Sequence, residues 1–356
     1  MVEALRIGGL PVVTLRAERR PDAPGIVEAT VLPGRGFMLL QAVAELPGGD
    51  RLELLEAPHV SEAMTLLDGG PDDFAGSRAF SFGGAILAPY ANRIRGRALS
   101  NAREIEAMID GQAVRLPRNW GGKEPGAETY AMHGLILDAA IPFERPSPGE
   151  VSGRLIGGLS GRWPGSLELG FAWTLAGGRL VLEIEARNRG EVVAPVGLGW
   201  HPYFRIPSGR RAQARLRIPA ALRAEVNNYD EVLPTGRLLD VAGTPYDLRE
   251  PTGRLLGELY LDDCFVGLST ADNEMVAELT DPAAGLGVRI SSPSPPVRAV
   301  QVYAPPEKAF AVIEPQFNLA DPFGAAWPSD LDTGMVRLAP GDTASYRSEV
   351  ELFELT

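Results

Sequence analysis

The chain has one cysteine and three histidines in 356 residues. A lone cysteine forms no internal disulfide, and three scattered histidines supply no His/Cys zinc cluster. Lysine occurs only at Lys123 and Lys308, so nearly all the basic residues are arginine, which reads as genome composition. Basic charge is also in deficit: Lys+Arg total 34 against 46 Asp+Glu, a formal net charge of -12. Nucleic acid and anionic membrane surfaces repel such a chain and are excluded as its main partners. No apolar run reaches the roughly 18 residues of a membrane span. The first residues, "MVEALRIGGLPVVTLRAERR", carry Glu3 early and lack the basic start and apolar core of a secretory signal, so the cytoplasm is the expected location.

What is present is core material and punctuation. Hydrophobic residues make up 45% and charged residues 22%, enough for a full core and too little charge for wholesale disorder. Forty-one glycines and 31 prolines are dispersed between short apolar runs and do not collect into a linker. Within those runs the alternation has period two, the strand signature. "SLELGFAWTLAGGRLVLEIEARNRG" (166–190) reads as a hairpin around Ala-Gly-Gly. "ARLRIP", "AVQVYAP", "KAFAVIEP" and "YRSEVELFEL" read as strands, and "VRLAPGDTASYRSEVELFEL" as strand, Pro-Gly turn, strand. Helical signals are short: "VSEAMTLLDG" (60–69) allows one or two turns with Gly69 beyond its end. "DGGPDDFAGS" (68–77) reads as a solvated loop whose aspartates lack calcium-loop spacing. There is no βαβ rhythm and no repeat of 20–50 residues. The expectation is an all-β chain, one large antiparallel β-sandwich domain over residues 1–356 with few short helices.

Three stretches place polar residues at the ends of apolar runs. In "VGLGWHPYFRIP" (196–207), His201 stands among Trp200, Pro202, Tyr203 and Phe204. A core histidine satisfied by backbone would fit this pattern, and so would a proton-transfer group. In "AFAVIEPQFN" (309–318) the run ends at Glu314, with Pro315 expected to stop the strand. That carboxylate is either at a solvated strand end or in a polar pocket, since burying it unpaired is costly. "GGAILAPYANRIRGR" (83–97) brings Asn92 and Arg93, a donor fork suited to hydroxyls or carboxylates unless it is simply solvated. "MHGL" adds His133, and "LDDCFVG" adds Asp262 and Asp263.

Taken in order, the "NRI", "HG", "HPYF", "D-x-C-F" and "EPQ" elements resemble the aldose 1-epimerase (galactose mutarotase) family. They span residues 83 to 318, and residues 33–58 and "LAPGDTASYRSEVEL" loosely resemble its two ends. The resemblance implies a galactose mutarotase-like supersandwich with a sugar cleft on one sheet, and interconversion of aldose anomers. It implies His201 as general acid on the ring oxygen and Glu314 as base on the anomeric hydroxyl. Arg93, His133 and Asp262 match positions that hold the sugar, with Asn92 and Gln316 in support. Trp200, Trp120 and Tyr203 are candidates for an aromatic wall against the sugar's C–H face. The galactose-specific branch has asparagine where this chain has Trp200, so galactose itself is not implied.

The chemistry fits these residue types without a metal or cofactor, because opening a hemiacetal gives one proton and takes another. Neighbouring carboxylates, Asp262 or Asp263, are expected to keep His201 protonated. Two alternatives stay open. A phosphorylated or sulfonated hexose would need a cationic clamp, for which Arg205, Arg210 and Arg211 are available. A carbohydrate-binding module on the same sandwich would need no acid–base pair. The expected partner is a small-molecule sugar, and the sequence does not distinguish a monomer from a homodimer.

Overall fold

The computed structural model describes residues 5–18, 22–100, 103–122, 128–293 and 295–355, so Glu3 and Lys123 fall outside it. Two large antiparallel sheets dominate. One has nine strands and includes the expected hairpin, Leu167–Ala176 paired in register with Arg179–Asn188. Its turn is Gly177-Gly178, both at positive φ, which suits glycine because it has no Cβ to clash. The long strand Thr343–Glu354 lies between Arg179–Asn188 and Leu286–Pro293. The other sheet has eleven strands. Through its middle run Leu261–Leu268, Ala299–Ala304, Phe310–Gln316, Gly199–Arg205 and Gly84–Leu87, each bonded to the next.

Alternation assigns each face. Ala311 and Ile313 of Phe310–Gln316, with Trp200 and Phe204, join Trp173, Leu182 and Ile184 in the main core between the sheets. That core runs from Val13 to Leu352. The even-numbered residues of Phe310–Gln316, with His201 and Tyr203, face the other way. A third layer covers part of that second face. It consists of the helix Val60–Leu66, a kinked 3-10 segment Pro71–Phe80 and a small sheet holding Arg93–Arg95, Trp120–Gly121 and Thr129–Met132. Its apolar contacts, among them Ala63, Leu67, Phe80 and Tyr130, form a second core against Ala85 and Leu87.

Two local expectations change. Residues 68–77 are not a solvated loop, because Asp73 is buried and its carboxylate meets Arg35 at 2.7 Å. It also accepts the backbone N–H of Gly69 and Arg78, so it organises the covering layer from inside. Pro315 does not end its strand, which continues to Gln316. The reason lies in the ladder to Gly199–Arg205, which is bonded at Gly199–Gln316 and again at Tyr203–Val312. Between those pairs each strand carries a proline, Pro202 and Pro315, and neither donates a ladder bond. The expected carboxy-terminal strand, Pro-Gly turn, strand is present, with Val336–Leu338 pairing with Ala194–Val196 and not with Thr343–Glu354. Among the described residues, no helix is long and apolar enough to cross a membrane.

Candidate active site

The gap in that ladder is where the candidate site lies. Register sets His201 opposite Glu314 across the two strands, and their Nε2 and Oε1 atoms are 3.3 Å apart. Both are deeply buried, at 5% and 1% exposure. They lie at the floor of a pocket of about 160 Å³, lined also by Arg93, His133, Asp262, Gln301, Trp120 and a set of tyrosines.

The rest of the floor is a ring of polar contacts. Arg93 Nη1 donates to Asn92 Oδ1 at 2.9 Å, and Asn92 Nδ2 donates to Gln301 Oε1 at 3.0 Å. Gln301 Nε2 then donates to Asp262 Oδ1 at 2.7 Å, and Asp262 Oδ2 returns to Arg93 Nη2 at 3.7 Å. Gln301 is Glu314's direct cross-strand neighbour. Sequence reasoning missed it, although a glutamine inside the apolar run "AVQVYAP" is the signal of a polar residue that needs a partner.

Backbone strain holds two of these groups. Asn92 and His133 both have left-handed φ, 61° and 62°, and the His133 N–H donates to the Asn92 carbonyl. Such conformations persist in ordinary residues only where surrounding structure enforces them. Gly134 follows at φ 90°, and a Cβ there would lie 2.2 Å from the Ala88 carbonyl oxygen, so "HG" needs its glycine. Asn318 bonds both the N–H and the carbonyl of Ala91, tying the end of Phe310–Gln316 to the loop that carries Arg93.

Several site expectations are redrawn. Trp200 is not in the pocket: alternation turns it into the inter-sheet core, where its Nε1 donates to the Gly84 carbonyl. Trp120 and Tyr203 do line the pocket. Asn92 and Gln316 are buried behind the lining, and Gln316 Nε2 is occupied by the Asn318 carbonyl. Asp263 points to the opposite face from Asp262 and pairs with Arg223 at 2.7 Å. The cationic clamp does not assemble. Arg205 pairs with Glu53 and Glu56, Arg211 donates to the carbonyls of Gly257, Leu259 and Ala304, and neither they nor Arg210 line the pocket. Asp230 and Asp262 line it instead, which opposes an anionic sugar.

Nor is His201 kept protonated. Burial first, with the Arg93 charge adding, pushes its pKa down to about 3. His133 is lowered as well, by burial, then by His201 and Arg93. Burial and then Asp262 raise Glu314 well above the usual carboxylate range, against the opposing pull of Arg93. Both ring nitrogens of His133, His201 Nδ1, Glu314 Oε2 and Arg93 Nε are buried without a hydrogen-bond partner. A small cavity ringed by unpaired donors and acceptors suits a ligand covered in hydroxyls. His133, His201 and Glu314 also offer three donor atoms within 4.8 Å of one another. Ligand atoms around a zinc ion with bonds of about 2.1 Å sit closer together than that spread, and the Arg93 cation occupies the same pocket.

A family model described as aldose 1-epimerase matches residues 55–351. The chain belongs to the aldose 1-epimerase family. Among its relatives, galactose mutarotase from Bos taurus is 28% identical over 183 residues, covering 49% of this chain and 50% of that protein. Galactose mutarotase from Homo sapiens is 27% identical over 228 residues, covering 59% and 61%. The matched stretch thus spans about half the length of the first of these relatives. The fold is shared with a galactose mutarotase-like protein from Clostridium acetobutylicum, at TM-score 0.72 and 16% identity over 94% of each chain. An aldose epimerase homologue from C. elegans gives TM-score 0.70 at 20% identity, covering 97% of this chain and 99% of that one.

Proposed function

We propose that the protein interconverts the α and β anomers of a free, uncharged hexose by general acid–base opening and closing of the ring. The observation that carries this reading is the pairing of His201 with Glu314: a proton donor and acceptor 3.3 Å apart, buried, and both in the lining of a sugar-sized pocket. A binding module needs hydrogen-bonding groups for hydroxyls but not a proton donor and acceptor held in contact with each other, and burying such a pair costs stability.

The electrostatics refine the mechanism. A buried carboxyl that favours keeping its proton and a buried imidazole that favours being without one leave the resting pair with a single proton, on Glu314. His201 as acid on the ring oxygen and Glu314 as base on the anomeric hydroxyl use the other tautomer, reached by transfer across the same 3.3 Å. The sugar then takes a proton at the ring oxygen and gives one from O1. The C1–O5 bond breaks, C1–C2 rotates, and the reverse transfers close the ring on the other face. Arg93, Asp262 and His133 hold the hydroxyls meanwhile.

The pH dependence follows from the pair titrating as a unit. A second proton binds only as pH falls through the depressed His201 value of about 3, and the shared proton is lost only as pH rises through the raised Glu314 value. The kcat/KM profile is therefore flat between those limits. An acidic limb near the ordinary histidine pKa of about 6.5 would count against this assignment. The direct test is polarimetry of freshly dissolved α-glucose and α-galactose with the protein, with Glu314→Gln and with buffer. Acceleration lost in the variant is expected; no acceleration by the native protein overturns the reading.

A further inference from the structure

The mouth of the pocket is held by residues that take no part in proton transfer. The segment 227–233 joins the strands Ala220–Val226 and Pro234–Asp240. Asn227 Oδ1 accepts the N–H of Asn228 and Leu233, and Asn228 Oδ1 accepts those of Asp230 and Glu231. Tyr130 donates its hydroxyl to the Glu231 carbonyl, pinning the segment to the covering layer. A connection tied at this many points keeps its shape.

Tyr229 leaves this segment to line the pocket, 37% exposed where His201 and Glu314 are buried. Its ring meets Tyr260 edge-on at 4.9 Å, and its hydroxyl donates to the Asp263 carboxylate at 3.1 Å and lies 3.0 Å from the Tyr246 hydroxyl. Asp263 is fully buried, paired with Arg223, and also accepts the backbone N–H of Asp262. The Arg223 guanidinium in turn lies 3.8 Å from the centroid of the Tyr246 ring. A buried ion pair is weak as a source of stability, because desolvation offsets its attraction. What this one does is geometric. A single carboxylate fixes the Tyr229 side chain and the backbone of a floor residue in one arrangement.

We infer that Tyr229 is the specificity-determining wall of the pocket, closing its mouth against sugars extended at the end away from the anomeric carbon, with Asp263 and Arg223 as its positioning residues. The inference uses the proposed anomerisation only to place C1 at the floor beside Glu314. A cavity of about 160 Å³ is small beside the roughly 300–1,000 Å³ of pockets for drug-sized ligands and suits a single pyranose. A second ring linked through O4 would have to pass where the Tyr229 ring is held.

The test compares glucose and galactose with the reducing disaccharides maltose and lactose. Binding is read by calorimetry and turnover by polarimetry, for the native protein, Tyr229→Ala and Asp263→Asn. The native protein is expected to bind the disaccharides at least tenfold more weakly than the monosaccharides. Tyr229→Ala narrows that gap at least tenfold, and Asp263→Asn narrows it less. A gap unchanged in Tyr229→Ala, or equal weakening of both sugar classes, overturns the wall, as does native protein that binds neither class. Tyr229 is at the surface, so its truncation does not threaten folding, whatever Asp263→Asn does. If the gap closes as expected while no sugar is turned over, the wall stands and anomerisation falls.

Discussion

On the nine-stranded sheet, Arg179–Asn188 buries every second residue and turns the others towards solvent, where Arg179 pairs with Glu349 and Glu351. On the eleven-stranded sheet, Phe310–Gln316 is buried at all seven positions, yet Glu314 keeps an oxygen with no partner. The hollows on the two sheets differ in the same way. One of about 820 Å³ lies on the nine-stranded sheet, bordered by Phe143, Arg154, Ile156 and Glu185, and its Arg154 is already engaged by Glu168. The pocket of about 160 Å³ on the other sheet is smaller, but both His133 ring nitrogens, His201 Nδ1, Glu314 Oε2 and Arg93 Nε in its lining lack hydrogen-bond partners. Volume is therefore a poor guide to chemistry in this molecule. Unmet hydrogen-bonding capacity, kept dry by a third layer, is the better one.

The comparison can be broken most directly at Glu314. Glu314→Gln is expected to lower kcat by about 10²–10⁴-fold while sugar binding persists, as polarimetry and calorimetry would show. The same variant should raise Tm at neutral pH by about 2 °C or more, because an amide does not suffer the desolvation that raises the carboxyl pKa. The sign is fixed by that raised value: the cost is present once pH exceeds the unfolded pKa, and it vanishes in acid. A fall in Tm would mean that Glu314 has partners the pocket does not reveal.

Next in size is the layer that keeps the pocket dry. Asp73→Asn leaves Arg35 buried without its counter-charge and should cost about 3–5 kcal/mol in a denaturant titration. Gln301→Ala cuts the ring between Asn92 and Asp262, and a rise of about tenfold in KM with a smaller change in kcat is expected from steady-state polarimetry. The smallest effect belongs to the other sheet. Arg154→Ala removes one half-exposed partner of Glu168, which keeps Arg189, so stability should change by at most about 0.5 kcal/mol and turnover not at all. A loss of activity there would show that the outer groove communicates with the pocket.

Much of this architecture was legible because alternation is a local property. The hairpin at 166–190 could be read from period two and a glycine pair alone, and the helix at Val60–Leu66 from a short run ended by Gly69. His133, His201, Glu314, Arg93 and Asp262 were legible as an ordered set of short motifs, and the fold brings all five to one pocket. What could not be read was which face of a strand the third layer would cover. That choice decides that Trp200 packs inward while Tyr203 meets the pocket, and that Asp262 and Asp263, adjacent in sequence, serve opposite sides of a sheet. Nor could local signals show that Asp73, in a stretch of glycines and aspartates, would meet an arginine 38 residues away. The protonation state of His201 escaped for the same reason, since burial and Arg93 act through space.

Trp200 and His201 are neighbours on one strand and face opposite ways, one ring in the main core and one in the pocket. A substitution at position 200 thus meets different neighbours from one at the residue it precedes. A change there is answered first by Trp173 and Phe204, which pack on it, and by Gly84, where a Cβ would come within 2.6 Å of the Trp200 Nε1. Where a lineage alters the residue before this histidine, compensating substitutions should be sought on the facing sheet and at Gly84, not among the groups that hold the sugar. Drift in substrate preference and drift in core packing can then proceed on the same strand almost independently, one residue apart.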